Sequence, residues 1–216
     1  VPVPIFVSAL SQEDVRAEVF DYCQNIQLIL NTTSFSLAKL GDEQQSSFWQ
    51  KLNVPVLQVI LSGGTKEQWE TGMQGLTPRD VAMNVALPEV DGRVITRAIS
   101  FKSSQQWNEQ LETNVVAYEP VRDRAQFVVK LAQNWLTLAN TSNAEKKVAL
   151  ILANYPNKDG RLANGVGLDT PASCVEILKA FKASGYTISS LPNSGDELMQ
   201  WLKQRVSNDR EGRSYR

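Results

Sequence analysis

Residues 55–101 read PVLQVILSGGTKEQWETGMQGLTPRDVAMNVALPEVDGRVITRAISF, and this stretch decides the fold. Pro55–Leu61 is a short apolar run without polar alternation, the pattern of a strand covered on both faces in a parallel sheet. Ser62-Gly63-Gly64 follows at once, which predicts a tight exit from the strand toward the ligand-binding edge of the sheet. Thr77-Pro78 sets a capping hydroxyl before a proline at the first helical position, and so predicts a helix start. Asp91-Gly92 is turn chemistry, and Arg93–Phe101 reads as the next strand. Strand, helix, strand in this order makes a βαβ unit.

The same alternation continues on both sides. Val3–Ala9, Ile26–Asn31, Lys147–Ala153 and Tyr186–Ser190 are the other predicted strands. Helices are predicted to start at Ser11, with Asp14 three residues on, at Thr170-Pro171, and at the capping box Ser194 to Glu197. Glu43 to Leu52 reads as another helix. From Val121 to Asn140 a long helix carries Ala125, Val128, Ala132 and Trp135 on one side. The expected fold class is α/β: two Rossmann-like βαβ units with mainly parallel sheets, bilobal, joined by the long helix. Residues 1–120 form the first unit, and residues 121–216 the linker helix and the second.

Composition excludes several functions. A formal net charge of −1 gives no reason to expect nucleic acid or an anionic membrane as partner. The longest apolar runs, such as VALILA at 148–153, are far too short to span a bilayer. The chain opens VPVPIFVSAL, directly in a predicted strand, and reads as an internal portion of a longer protein. Cys23 and Cys174 are far apart and sit in predicted amphipathic helices, as small core residues of a protein from a reducing, cytoplasmic compartment.

The chain has no histidine, so a Ser-His-Asp or Cys-His nucleophile site within it is excluded, as is a histidine-based zinc site. No G-x-x-x-x-G-K-[ST] phosphate loop occurs. Gly165-Val-Gly167 has half of a dinucleotide fingerprint but lacks the third glycine, and reads as a loop feeding a capped helix. The free N–H groups of that helix, with Arg161 nearby in sequence, suit a ligand bearing carboxylates. Arg79, Asp80, Glu89, Asp91, Arg93 and Arg97 make the first stretch denser in charge than a turn requires. Either surface solvation or a functional charge network explains that density. The five tryptophans read as core and helix-face residues.

Three stretches carry a resemblance. PVLQVILSGG, GLTPRDVAMNVALPEVDGRVITRAISFK and ANYPNKDGRLANGVGLDTPAS are similar to the large subunit of the aerobic cobaltochelatase (CobN type). They are more distantly similar to the porphyrin-binding H subunit of magnesium chelatase. DTPAS and NYPNKDGR favour the cobalt branch. The resemblance implies ATP-dependent insertion of Co²⁺ into a corrin precursor, hydrogenobyrinic acid a,c-diamide, or of Mg²⁺ into a porphyrin in the other branch. It also implies AAA+ partner subunits that hydrolyse the ATP, which agrees with the missing phosphate loop.

A chelatase must hold a planar macrocycle with carboxylate and amide arms, desolvate a divalent ion and accept two pyrrole protons. On that resemblance Glu89 and Asp91 are expected as ion relays or proton acceptors. Arg79, Arg93 and Arg161 are expected as forked donors to the arms, and Gly63, Gly64 and Gly165 as points of close backbone approach. Asn154, Tyr155, Asn164, Asp169 and Thr170 complete the ligand-binding set, with the two islands facing a shared cleft. No residue is assigned to the metal. The contrasting expectation is a two-lobed module that docks a partner subunit or small ligand without metal chemistry.

Overall fold

A computed structural model of the chain describes residues 1–38, 47–155 and 162–204, apart from the side chains of residues 47 and 104–106. The chain forms two compact units, Val1–Ala139 and Asn140–Arg216.

The first unit is α/β and holds a four-stranded, mostly parallel sheet in the order β1-β2-β3-β4. Strand β1 (Ile29–Asn31) pairs parallel with β2 (Val56–Thr65), Leu30 opposite Leu57. Strand β3 (Val94–Asn108) pairs parallel with β2, Val94 opposite Leu57. It then returns antiparallel as β4 (Thr113–Pro120), Asn108 opposite Thr113. The apolar run of β2 is buried on both faces: Leu57, Val59 and Ile60 are all shielded from solvent. One cluster packs Val56 with Leu10, Phe48 and Trp49, and another packs Ile60 with Ala98 and Phe101.

Helices α1 (Glu13–Tyr22) and α2 (Ser47–Leu52) precede β2 in sequence. Helix α3 (Lys66–Thr71) follows β2 and is fixed by a capping box between Thr65 and Gln68. The crossover from β2 to β3 is a single helical rod in three parts: α4 (Pro78–Val81), a π-helical turn (Ala82–Ala86) and α5 (Leu87–Val90). The π turn has a cause in the sequence. Pro88 has no N–H and its ring would crowd a carbonyl one turn back, so the ladder widens around it. The Leu87 N–H accordingly reaches the Ala82 oxygen.

The long helix α6 (Arg122–Asn140) packs on this unit. Arg124 Nε donates to the Ala98 carbonyl at 2.5 Å, its guanidinium lies over Trp69, and Arg97 lies over Phe127. These contacts put the helix with the first unit, so the break between units follows it, whereas the sequence reading divides the chain at 120/121.

The second unit packs α7 (Thr170–Ala183) against α8 (Gly195–Lys203) through Cys174, Val175 and Leu198, with Leu152 at the edge. Gly195 allows the close approach: a Cβ there would lie 3.0 Å from the Ala172 nitrogen.

Several local expectations need correction. Val3–Ala9, Lys147–Ala153 and Tyr186–Ser190 join no ladder among the described residues. An apolar run becomes a strand only where a neighbouring strand takes up its backbone groups. Strand β4 is not among the predicted strands, because its side chains are exposed on both faces and show no apolar period. Strand β2 does not end at Leu61: Gly63 and Gly64 continue it to Thr65 rather than turning. Helix α1 has no side-chain cap and starts at Glu13, not Ser11. The cap of α7 is Asp169, whose carboxylate accepts from the Ala172 N–H, leaving Thr170 as the first helical residue. At α8 the Ser194 hydroxyl accepts from Glu197 N, but the Glu197 carboxylate returns to Asn193 N, so only half of the box forms. Residues 43–46 of the predicted helix at 43–52 lie outside the described residues.

Candidate functional site

In the first unit two buried polar networks lie side by side, and the loop after β1, residues 32–38, is bonded to both. The first is centred on Asp91 and Arg93. Their ion pair spans 2.5 Å, with both side chains completely shielded. The Asp91 carboxylate also accepts from Ser36 Oγ at 2.6 Å, from the Leu37 and Ala38 N–H groups, and from Trp49 Nε1. Arg93 donates to Gln58 Oε1 and to the Thr33 carbonyl, each at 3.1 Å, and lies over the Trp49 ring. Asn31 Nδ2 donates to the same Gln58 oxygen at 2.7 Å.

Burial on its own would raise the Asp91 carboxyl. The hydrogen bonds from Ser36, Leu37 and Ala38 and the charge of Arg93 outweigh burial and hold it below the usual carboxylate range. Burial likewise lowers the Arg93 guanidinium, against which the Asp91 charge acts.

The second network is centred on Asp80, which is also buried. Its carboxylate accepts from Ser62 Oγ at 2.8 Å, from the Gly63 N–H at 3.0 Å and from Asn84 Nδ2 at 3.3 Å. Ser34 Oγ donates to Asn84 Oδ1 at 2.6 Å, tying the loop after β1 to the crossover helix. This network meets β2 at Ser62 and Gly63, in its last residues, toward the edge at which open parallel sheets take ligands.

The predicted residues separate into three groups. Asp91 and Arg93 are brought together, but as an enclosed pair shielded from solvent, with Arg93 Nε a buried donor that has no partner among the described residues. Gly63, Gly64 and Arg79 lie around the Asp80 network: Gly63 presents its N–H to Asp80, and Gly64 packs against Thr77. Arg79 is exposed and its Nε lies 3.4 Å from Met83 Sδ. Glu89 is exposed on α5. The remainder belong to the second unit. Asn154 bridges Leu162, Tyr155 and Asn164 are exposed, and Asp169 and Thr170 open α7. Gly165 bridges Leu168, and a Cβ there would lie 2.6 Å from Thr170 Oγ1. Arg161 lies outside the described residues.

Sequence reasoning missed Asn31, Ser34, Ser36, Gln58 and Asn84. A polar residue inside an otherwise apolar strand, as Gln58 is in VLQVIL, was the available signal. Among the described residues no group of three or more Cys, Asp or Glu side chains is placed to hold a metal ion. A pocket of about 590 Å³ opens at the start of β2 and β3, walled by Trp49, Pro55, Val94 and Trp135. It offers indole faces, and the one carboxylate beside it, Asp91, is already saturated. Among the described residues, no helix is long and apolar enough to cross a membrane.

Comparison with known proteins gives a consistent result. The family model described as CobN/Magnesium Chelatase matches residues 1–216. An aerobic cobaltochelatase subunit CobN from Sinorhizobium is 43% identical over 97% of this chain and 17% of its own length. The corresponding subunit from Pseudomonas aeruginosa is 46% identical, over 97% of this chain and 17% of its own length. A solved structure, the catalytic subunit of cobaltochelatase from Mycobacterium tuberculosis, superposes with a TM-score of 0.73 at 30% identity, covering 89% of this chain and 16% of that one. The chain thus spans about a sixth of the length of these relatives.

Proposed function

The chain belongs to the CobN/magnesium chelatase family, and from that premise we propose that it is an internal portion of the tetrapyrrole-binding large subunit of an ATP-dependent cobaltochelatase. Its substrates on this reading are Co²⁺ and hydrogenobyrinic acid a,c-diamide, on the route to cobalamin. AAA+ partner subunits, working with it in the cytoplasm, hydrolyse the ATP. The observation that carries the reading is the match to two CobN subunits at 43% and 46% identity along nearly the whole chain. A second reading is the equivalent part of a magnesium chelatase H subunit taking Mg²⁺ and a porphyrin, which the family model joins to the same family.

In the first unit the proposed contact surface is the exposed side of the β1 and β2 exits. Arg79 supplies a forked donor for a carboxylate or amide arm. The extended Gly63-Gly64 backbone lets the ligand come close. Glu89, exposed at the far end of the crossover helix, is the freer of the two proposed acceptors, while Asp91 acts from beneath by fixing the loop. Asn154, Tyr155, Arg161, Asn164, Gly165, Asp169 and Thr170 are proposed as the contribution of the second unit.

The test is titration of the chain with hydrogenobyrinic acid a,c-diamide, following the ligand's absorbance, with Arg79→Ala in parallel. Arg79 is a better diagnostic residue than Arg93, because removing a buried guanidinium perturbs folding as well as binding. Saturable binding, weakened in Arg79→Ala, is the expected result. A folded chain that binds neither this ligand nor protoporphyrin IX overturns the reading. Preference for protoporphyrin IX selects the magnesium branch.

A further inference from the structure

Phe35 has a backbone that few phenylalanines adopt. Its φ is +65°, in the left-handed region that glycine and asparagine enter freely and that is an outlier for a bulky side chain. Apolar burial does not compensate, because the residue is 53% exposed.

What holds the conformation is a set of hydrogen bonds on both sides. Ser34 Oγ is bonded to Asn84, and Ser36 Oγ, Leu37 N and Ala38 N all donate to Asp91. Phe35's own N–H donates to the Met83 carbonyl at 2.9 Å. That carbonyl is available for a reason written in the sequence. In a regular helix it would accept from Leu87, but the Leu87 N–H goes to Ala82, and the next residue, Pro88, has no N–H. The π turn, the proline and the strapped loop therefore act together to hold Phe35 with its side chain exposed and its backbone bonded to Met83, the residue whose thioether Arg79 contacts. Strain that the surroundings over-determine is typical of ligand clamps and switch regions.

We propose that Phe35 is a ligand-contacting residue whose ring packs against the face of the planar macrocycle while Arg79 holds one of its polar arms. This inference rests on the tetrapyrrole reading above and adds the residue that recognises the macrocycle's flat surface. Aromatic rings stack on extended π-systems in offset geometry, and a loop backbone fixed beforehand reduces the freedom lost on doing so.

The test pairs binding with stability. Phe35→Gly removes the ring and relaxes the backbone, and Phe35→Tyr keeps the ring. Each is titrated with hydrogenobyrinic acid a,c-diamide and unfolded in urea beside the wild type and Arg79→Ala. The expected result is about a tenfold loss of affinity in Phe35→Gly, with the urea midpoint unchanged or raised, and near-wild-type affinity in Phe35→Tyr. A lowered midpoint in Phe35→Gly would show the ring to be packing, and would overturn the inference. Unchanged affinity in Phe35→Gly, while Arg79→Ala weakens binding, overturns it too and leaves the tetrapyrrole reading standing. A wild-type chain with no saturable binding removes both.

Discussion

Asp91 Oδ2 and Arg93 Nη2 meet at 2.5 Å with neither side chain exposed to solvent, and the carboxylate is bonded at the same time to three groups of the loop after β1. The pair therefore does two things in one place. It fixes the start of β3, and it pins the loop that carries Phe35. A buried pair of this kind is not by itself a large source of stability, since taking both ions out of water offsets much of their attraction. Removing one member is another matter, because the other remains buried without compensation.

Asp91→Asn is accordingly expected to destabilise the first unit by about 3 kcal/mol, in the range found for breaking buried pairs. The measurement is urea unfolding followed by tryptophan fluorescence, to which Trp49 contributes through its bond to Asp91. If the single variant unfolds at the wild-type midpoint, the pair is not the anchor described here.

The same carboxylate sets a pH dependence. Its folded pKa lies below the ordinary value, so the unfolded chain takes up a proton first as the pH falls. Stability from this group is complete above the unfolded value of about 4, and is lost as pH drops through the folded value below it. Urea midpoints between neutral pH and about pH 3 should fall more steeply for the wild type than for Asp91→Asn. Parallel curves would show that other carboxylates carry the acid sensitivity.

Much of this arrangement is legible in the sequence, and the part that is not has a common cause. The apolar run of β2 and the Thr77-Pro78 helix start give the βαβ unit directly, because burial and capping leave local signals. Asp91 and Arg93 stand out as charges next to a strand. What they touch does not, since Ser36 and Gln58 are brought to them from elsewhere in the chain by the fold. The glycines at 63 and 64 read as a turn, yet they extend a strand, and at Gly64 the Thr77 methyl packs 3.2 Å from where a Cβ would project. Lys147–Ala153 shows the opposite limit: Val148 and Ile151 are apolar but exposed, and composition alone cannot supply a partner strand.

Asp80 gives a prediction for the second network. Its carboxylate satisfies Ser62, Gly63 and Asn84, and the described residues supply no cation bonded to it. Asp80→Ala strands the buried Ser62 hydroxyl and the buried Asn84 amide, and should lower stability by about 2–3 kcal/mol. Asp80→Asn should lose less, because the Ser62 hydroxyl can turn to accept from the new amide. Denaturant unfolding of the two variants checks the order, and a larger loss for Asn than for Ala would contradict it.

The sharpest separation of structure from ligand contact is at Gly165. A Cβ there would sit 2.6 Å from Thr170 Oγ1, too close for the two to coexist without a shift at the start of α7. Gly165→Ala should therefore destabilise the second unit by about 1–2 kcal/mol, the usual range for overpacking. Thr170→Ala removes the colliding atom, so the double variant should regain most of the loss, giving a coupling energy of similar size. Urea unfolding of the four proteins measures it. Tetrapyrrole titration of the double variant then decides the glycine's role. Wild-type affinity would mean that Gly165 exists to make room for Thr170. A loss of affinity in a stable double variant, beyond that of Thr170→Ala alone, would mean that the ligand needs the space a Cβ would occupy.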